Sequence, residues 1–118
     1  MTSADKVFEL VDDQRADEFA ALFADGGRFV FGNNEALAGR EAIAAGNRAF
    51  FAMIQSLSHE IVNAWVNGST TVAETTVTYT RLDGRTVTVP AVSIWEVDEA
   101  GLITSYRIFV DLAPLFAP

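Results

Sequence analysis

TVAETTVTYTRLDGRTVTVPAVSIWEVDEAGLITSYRIFVD, Thr71 to Asp111, is the stretch whose reading decides the fold. Apolar and hydroxyl residues alternate along it in three runs, and each break between runs carries a turn signal. Asp83-Gly84 suits a two-residue hairpin turn, because both central positions of such a turn require positive φ. Placing Leu82 opposite Arg85 sets Thr78 against Val89, Thr76 against Ala91 and Glu74 against Ser93. Asp98 to Gly101 forms the next loop and sets Trp95 against Thr104 and Ser93 against Tyr106. Upstream, Asn67-Gly68 offers a second two-residue turn, with Val66 opposite Ser69 and His59 opposite Thr76. The expectation is a four-stranded antiparallel meander.

Side chains alternate across a sheet, so this register assigns two faces. One holds His59, Ile61, Asn63, Glu74, Thr76, Thr78, Val89, Ala91, Ser93, Trp95, Tyr106, Ile108 and Val110. The other holds Val62, Ala64, Val66, Ala73, Val77, Tyr79, Val92, Ile94, Arg107 and Phe109. Neither alternates cleanly with water-loving residues, as a sheet with one wet face would. Both faces are therefore expected to be covered, the first by the chain's own helices around a partly polar cavity, the second by another copy in a homodimer.

Working outward from the meander, the N-terminal half reads as covering elements. Ser3 is placed to cap a helix bearing Val7, Phe8, Leu10 and Val11, and Asp13 to cap a second with Phe19, Leu22 and Phe23. Asp25-Gly26-Gly27 ends the second helix. Arg28 to Phe31 is a short strand, Gly32 to Glu35 a loop, and Ala36 to Ala38 a further short strand. Gly39 to Leu57 forms the longest helical pattern, its stripe of Ile43, Phe50, Met53, Ile54 and Leu57 lying across the first face. The tail from Pro114 to Pro118, with Leu115 and Phe116, is a short docking segment.

The bulk properties bound the function. The 118 residues are expected to form one domain, residues 1–118, and a formal charge of −8 argues against nucleic acid or an anionic membrane as a partner, since either would need a basic patch. With no cysteine there is no disulfide framework, thiolate chemistry or cysteine zinc site. No secretory leader pattern opens the chain and no apolar run approaches the roughly 20 residues of a membrane span. A soluble, cytoplasmic protein is expected.

Two helices, a short strand, a long helix and the meander follow one another in an order that resembles the α+β, cone-shaped fold of the nuclear transport factor 2-like (NTF2-like) superfamily, in particular its SnoaL-like, polyketide cyclase-like branch. The stretches that carry it are Phe23-Ala24-Asp25 leading to Arg28-Phe29-Val30-Phe31, then Gly39-Arg40-Glu41-Ala42-Ile43, and Gly101-Leu102-Ile103 running to Tyr106-Arg107-Ile108-Phe109-Val110-Asp111. The resemblance covers nearly the whole chain and implies a curved, mainly antiparallel sheet around a pocket. It does not settle chemistry, because the fold hosts isomerases, epoxide hydrolases, cyclases, dehydratases and non-catalytic binders. A ketosteroid isomerase-like site would need an Asp where Phe31 stands and a Tyr before Tyr79. A limonene epoxide hydrolase-like triad would need charges where Thr76-Val77-Thr78 and Ile108 stand, and only Asn33 survives of it. A scytalone dehydratase-like site would need a second histidine. SnoaL-like cyclases, which close rings with a carboxylic acid near the end of the fold, leave Asp111 as a comparable group; equally, Asp111 caps a terminal helical turn.

Among the residues themselves, His59 lies diagonal to Glu74 on the cavity face, roughly 7–8 Å away and within reach of a long side chain. A carboxylate there orients the imidazole and raises its basicity, giving a proton-transfer pair; a backbone-bonded histidine at a junction is the other reading. Glu74 is either a buried acid or a wetted rim group. Asn33, Thr76, Thr78, Ser93 and Tyr106 are candidates to orient a ligand by hydrogen bonds. Phe31, Phe50, Met53, Ile54, Val89, Ala91, Trp95 and Ile108 would form the apolar wall. Two functions follow: a cofactor-free, metal-free acid/base enzyme of cyclase or isomerase type, acting on a small hydrophobic carbonyl compound through His59, Glu74 or Asp111, or a non-catalytic module that binds a hydrophobic ligand or dimerises.

Overall fold

The computed structural model describes residues 3–118. Ser3 accepts from the Lys6 N–H (3.3 Å) and starts α1, Ala4–Asp12. The chain then forms α2 (Ala16–Ala20), β1 (Phe23–Phe31), β2 (Leu37–Ala38) and α3 (Arg40–Phe51). β3 (Ile54–Asn67), β4 (Thr70–Arg81), β5 (Thr86–Val97), β6 (Ile103–Val110) and α4 (Ala113–Phe116) complete it. One curved sheet runs in the order β2-β1-β6-β5-β4-β3, antiparallel except for the β1–β6 pair. The fold is the α+β cone, with α1 to α3 packed on the concave face.

Two corrections to the register follow from single residues. The loop between β4 and β5 holds three residues, Leu82, Asp83 and Gly84, not two, so Arg81 faces Arg85 and Gly84 takes φ +88°. Such a loop is a turn followed by a left-handed glycine, and Asp83 fastens it by accepting from the Arg85 N–H at 3.0 Å. That hydrogen bond also holds the Asp83 carboxyl below the ordinary carboxylate range. Thr78 consequently pairs with Thr88, and Ala91 with Thr75. Between β3 and β4, Val62 is a bulge: Ile61 pairs with Thr75 and Asn63 with Glu74. A slip of one residue turns every side chain to the other face. The two slips cancel between β5 and β3 up to Ile61, so β4 and the end of β3 past the bulge are reversed from the expected arrangement: Asn63 turns outward with Glu74, and Ala64 and Val66 share the face of Ala73 and Thr71.

Glu74, Thr76 and Thr78 therefore lie on the convex face, where Glu74 accepts from Asn63 Nδ2 at 3.2 Å. Thr71, Ala73, Thr75, Val77 and Tyr79 point inward and are buried. The β5–β6 pairing also slides, Trp95 meeting Tyr106 and Ser93 meeting Ile108, but by two residues, which keeps the faces as expected. Of the expected outer residues, Val62, Val92, Ile94, Arg107 and Phe109 remain outside. Val62 and Phe109, with Trp65, are about half exposed at 48%, 54% and 53%.

The long helix is shorter than its spacing suggests. It ends at Phe51, and Ile54 and Leu57 belong to β3. Past Ile54 the polar Ser56, Ser58 and Glu60 alternate with Leu57, His59 and Ile61, a strand period that wins once the chain can pair with β4. The second helix likewise stops at Ala20 and is preceded by Arg15, not capped by Asp13. Phe23 opens β1, which approaches β6 so closely that a Cβ at Gly27 would lie 2.9 Å from the Ile103 carbonyl oxygen. Leu115 of α4 is 2% exposed and joins Phe51, Ile54, Leu57, Val77 and Val89 in one of two core clusters. The other gathers α1 and α2 against Phe23, Phe29, Trp95 and Tyr106.

Candidate functional site

α1 crosses the concave face so that Phe8 and Asp12, one helical turn apart, both meet His59 of β3. The Phe8 ring stacks on the imidazole at 4.5 Å between centroids. Asp12 takes two hydrogen bonds from the same residue: Oδ2 accepts from the His59 backbone N–H at 2.9 Å, and Oδ1 lies 2.6 Å from Nδ1. An ionised carboxylate only accepts, so Nδ1 carries a proton, and in the neutral tautomer this leaves the lone pair on Nε2. An acid in the last turn of a helix is opposed by the helix dipole; here the two hydrogen bonds offset that cost. The imidazole is 11% exposed, and His59 lines the interior.

That interior is a narrow chamber of about 30 Å³. Its polar wall is Asn47, His59, Tyr79, Ser93 and Tyr106, and the remainder is aromatic or aliphatic. Burial, with the Asp12 carboxylate adding to it, pushes the Tyr79 phenol up to about 12. Burial raises Tyr106 as well, against a smaller opposing effect of its hydrogen bond to Ser93. Both phenols are thus protonated donors at neutral pH.

Beyond the chamber lies a vestibule of about 710 Å³ between the β1–β2 loop, α3 and the chain's last turn. Phe29, Phe31, Asn47 and Phe50 line both spaces and form the wall between them. Phe31 and Phe50 meet edge to face at 4.9 Å across it. Asn33, Met53, Asp111 and Phe116 line the outer side only.

The expected site residues divide accordingly. His59, Ala91, Ser93, Tyr106 and Ile108 line the chamber, Asn33, Met53 and Asp111 the vestibule, and Phe31 and Phe50 both. Asp111 also accepts from the Ala113 N–H at 2.9 Å in the turn that leads into α4, whose N-cap is Leu112 and not Asp111 as its structural reading expected. Ile54 and Val89 are core residues that line neither space, and Trp95 is fully buried, stacked on Tyr106 at 5.2 Å. Glu74, Thr76 and Thr78 are absent from both, because β4 is reversed. His59 instead receives its carboxylate from Asp12. Asp12 was legible only as an acid placed against its helix dipole, and Tyr79 only from the apolar alternation of β4 taken by itself. Asn47 gave no comparable signal.

Among the described residues, no three histidine, aspartate or glutamate side chains converge to hold a metal ion. No helix among them is long and apolar enough to cross a membrane.

Comparison with known proteins agrees with this architecture. No curated protein sequence matches the chain. Among solved structures, a Catenulispora acidiphila protein of ketosteroid isomerase-like fold, in complex with trimethylamine, superposes with TM-score 0.84 at 20% identity, over 93% of this chain and 85% of that one. A protein from Jannaschia sp. CCS1 described as a SnoaL-like polyketide cyclase gives 0.77 at 23% identity, over 97% and 91%. An LEH-like epoxide hydrolase of M. tuberculosis gives 0.77 at 18%, over 95% and 82%. At these identities the likeness is one of fold. The sequence profile of the SnoaL-like domain matches residues 4–106, and the chain belongs to that family.

Proposed function

We propose that this protein is a cofactor-free acid/base enzyme in which His59, oriented by Asp12, moves a proton on a small hydrophobic carbonyl compound. The observation that carries the reading is the pair of hydrogen bonds that Asp12 accepts, which fixes both the backbone and the ring of His59 in an apolar interior. In the proposed reaction Nε2 removes a proton from the carbon beside the carbonyl; the C–H electron pair forms the C=C bond of an enolate as the carbonyl π pair moves onto oxygen. Asp12 stabilises the imidazolium that forms. A phenol that stays protonated, Tyr79 or Tyr106, is suited to donate to the enolate oxygen. Returning the proton at another carbon gives isomerisation; attack of the enolate carbon on a second carbonyl, followed by protonation of the new alkoxide, gives cyclisation.

The test is hydrogen–deuterium exchange beside the carbonyl of phenylalkyl ketones in heavy water, followed by NMR. It requires no knowledge of the natural product. The native protein should accelerate exchange and His59→Gln should abolish the acceleration; equal rates with and without protein, or in the variant, would sink the proposal.

A second reading has its own support. The chamber is too small for a substrate while the vestibule is roomy, which is the arrangement of a binding module whose interior is filled by its own side chains. Ligand binding that survives His59→Gln, with no exchange in either protein, would favour it.

A further inference from the structure

We propose that the vestibule selects a small amphipathic ligand whose apolar body ends in a protonated amine. This rests on the vestibule being the ligand pocket of the preceding reading, and not on proton transfer by His59. The charged residues that line the vestibule are Glu35 and Asp111, both acids. Nearby arginines are engaged elsewhere: Arg48 pairs with Asp17, and Arg40 with Asp25 and the Phe23 carbonyl.

The second observation is Asn47. It is 5% exposed, and its one protein hydrogen bond among the described residues runs from Nδ2 to the Ile43 carbonyl at 2.9 Å. That bond uses the donor end of the amide and leaves Oδ1, an acceptor, in the wall shared by the two spaces. An acceptor in that wall with no protein partner can receive an N–H that a ligand brings. Phe29, Phe31 and Phe50 also line the vestibule, and aromatic rings attract a nearby cation through their quadrupoles. The chain's net charge of −8 adds a field that concentrates cations and repels anions. Acidic rim, unpaired acceptor and aromatic wall all favour the same sign of charge, and the apolar remainder of about 710 Å³ leaves room for the body.

Calorimetric titration with phenylbutylamine, phenylbutanol and phenylbutanoate separates head group from body. The amine should bind tightest and the carboxylate weakest, about tenfold or more apart at low salt, with the gap narrowing as salt is added. The double variant Glu35→Gln, Asp111→Asn should bring the amine down toward the alcohol and leave the alcohol unchanged. Both positions are exposed, and an amide at 111 still accepts from the Ala113 N–H, so the fold is kept. A carboxylate that binds as tightly as the amine, an amine preference undiminished in the double variant, or no binding of any of the three would overturn the proposal. Amine selectivity without ketone exchange would leave it standing and remove the reading of His59; exchange without selectivity would do the reverse.

Discussion

The chamber and the vestibule share four wall residues and divide the requirements of a small-molecule site between them. The chamber has chemistry without room: His59 and Asp12, two protonated phenols and about 30 Å³, the space of a single water. The vestibule has room without the His59–Asp12 pair: about 710 Å³ faced by phenylalanines, asparagines and two acids. Catalysis therefore depends on whether the Phe31–Phe50 pair yields to a substrate, and binding does not.

The largest expected effect is on the chemistry. Asp12→Asn should lower turnover by about 10²–10⁴-fold and leave vestibule binding unchanged. An amide offers Nδ1 a donor where the carboxylate only accepted, which favours the tautomer with its proton on Nε2 and removes the base. The NMR tautomer of His59 provides a check separate from the rate. Loss of vestibule binding along with turnover would show that the two spaces are not independent.

Next comes the wall. Phe50→Ala should cost about 2–4 kcal/mol of stability, since it removes a ring packed on Phe31 and Tyr79. It should also join the two spaces, so bulkier ketones exchange faster relative to small ones than in the native protein. Unfolding in denaturant measures the first effect and competitive exchange the second. A variant with unchanged size preference would place the barrier elsewhere.

How far this division was legible can be judged residue by residue. Gly84, Gly68 and Gly101 mark turns because each takes positive φ, so the four strands and the resemblance to the cone were within reach of the sequence. The orientation of β4 was not read from the turns, since one added loop residue reverses a strand and Asp83-Gly84 fits either length. Its own alternation, Ala73, Val77 and Tyr79 against Glu74, Thr76 and Thr78, carried the better signal, because burial sets register more strongly than a dipeptide. His59 was placed inside only because the Val62 bulge cancels the loop error. Asp12 lies 47 positions away in sequence, a separation that no local pattern bridges. Ile54 and Leu57 fit helical spacing and strand alternation equally until β4 is present to pair with them.

The chain's two tyrosines both line the chamber and neither lines the vestibule, so phenolate absorbance reports one region alone. Tyr79 is pushed up to about 12, by burial first and by Asp12 second, and Tyr106 is raised as well. In the folded state these groups hold their protons where the unfolded chain has lost them. Their contribution to stability is therefore fully present below the ordinary phenol value of about 10 and is lost as pH rises through about 12. Native protein should show no phenolate near the ordinary value, and the signal should rise later, together with alkaline unfolding. A tyrosine titrating near its ordinary value would reveal a chamber open to water.

The smallest expected effect is the stability change on the vestibule side. Met53 and Phe116 are 50% and 51% exposed and line only the outer space. Met53→Ser and Phe116→Ser remove apolar surface that is already half in water, so each should change stability by no more than about 0.5 kcal/mol. Each should nevertheless weaken phenylbutylamine and phenylbutanol alike, because what it removes is the contact with the apolar body. Thermal melts beside calorimetry give the two numbers. A melt lowered as much as that of Phe50→Ala would mean that the vestibule wall is part of the packed core, and the contrast between a structural chamber and an open binding space would fail on its outer side.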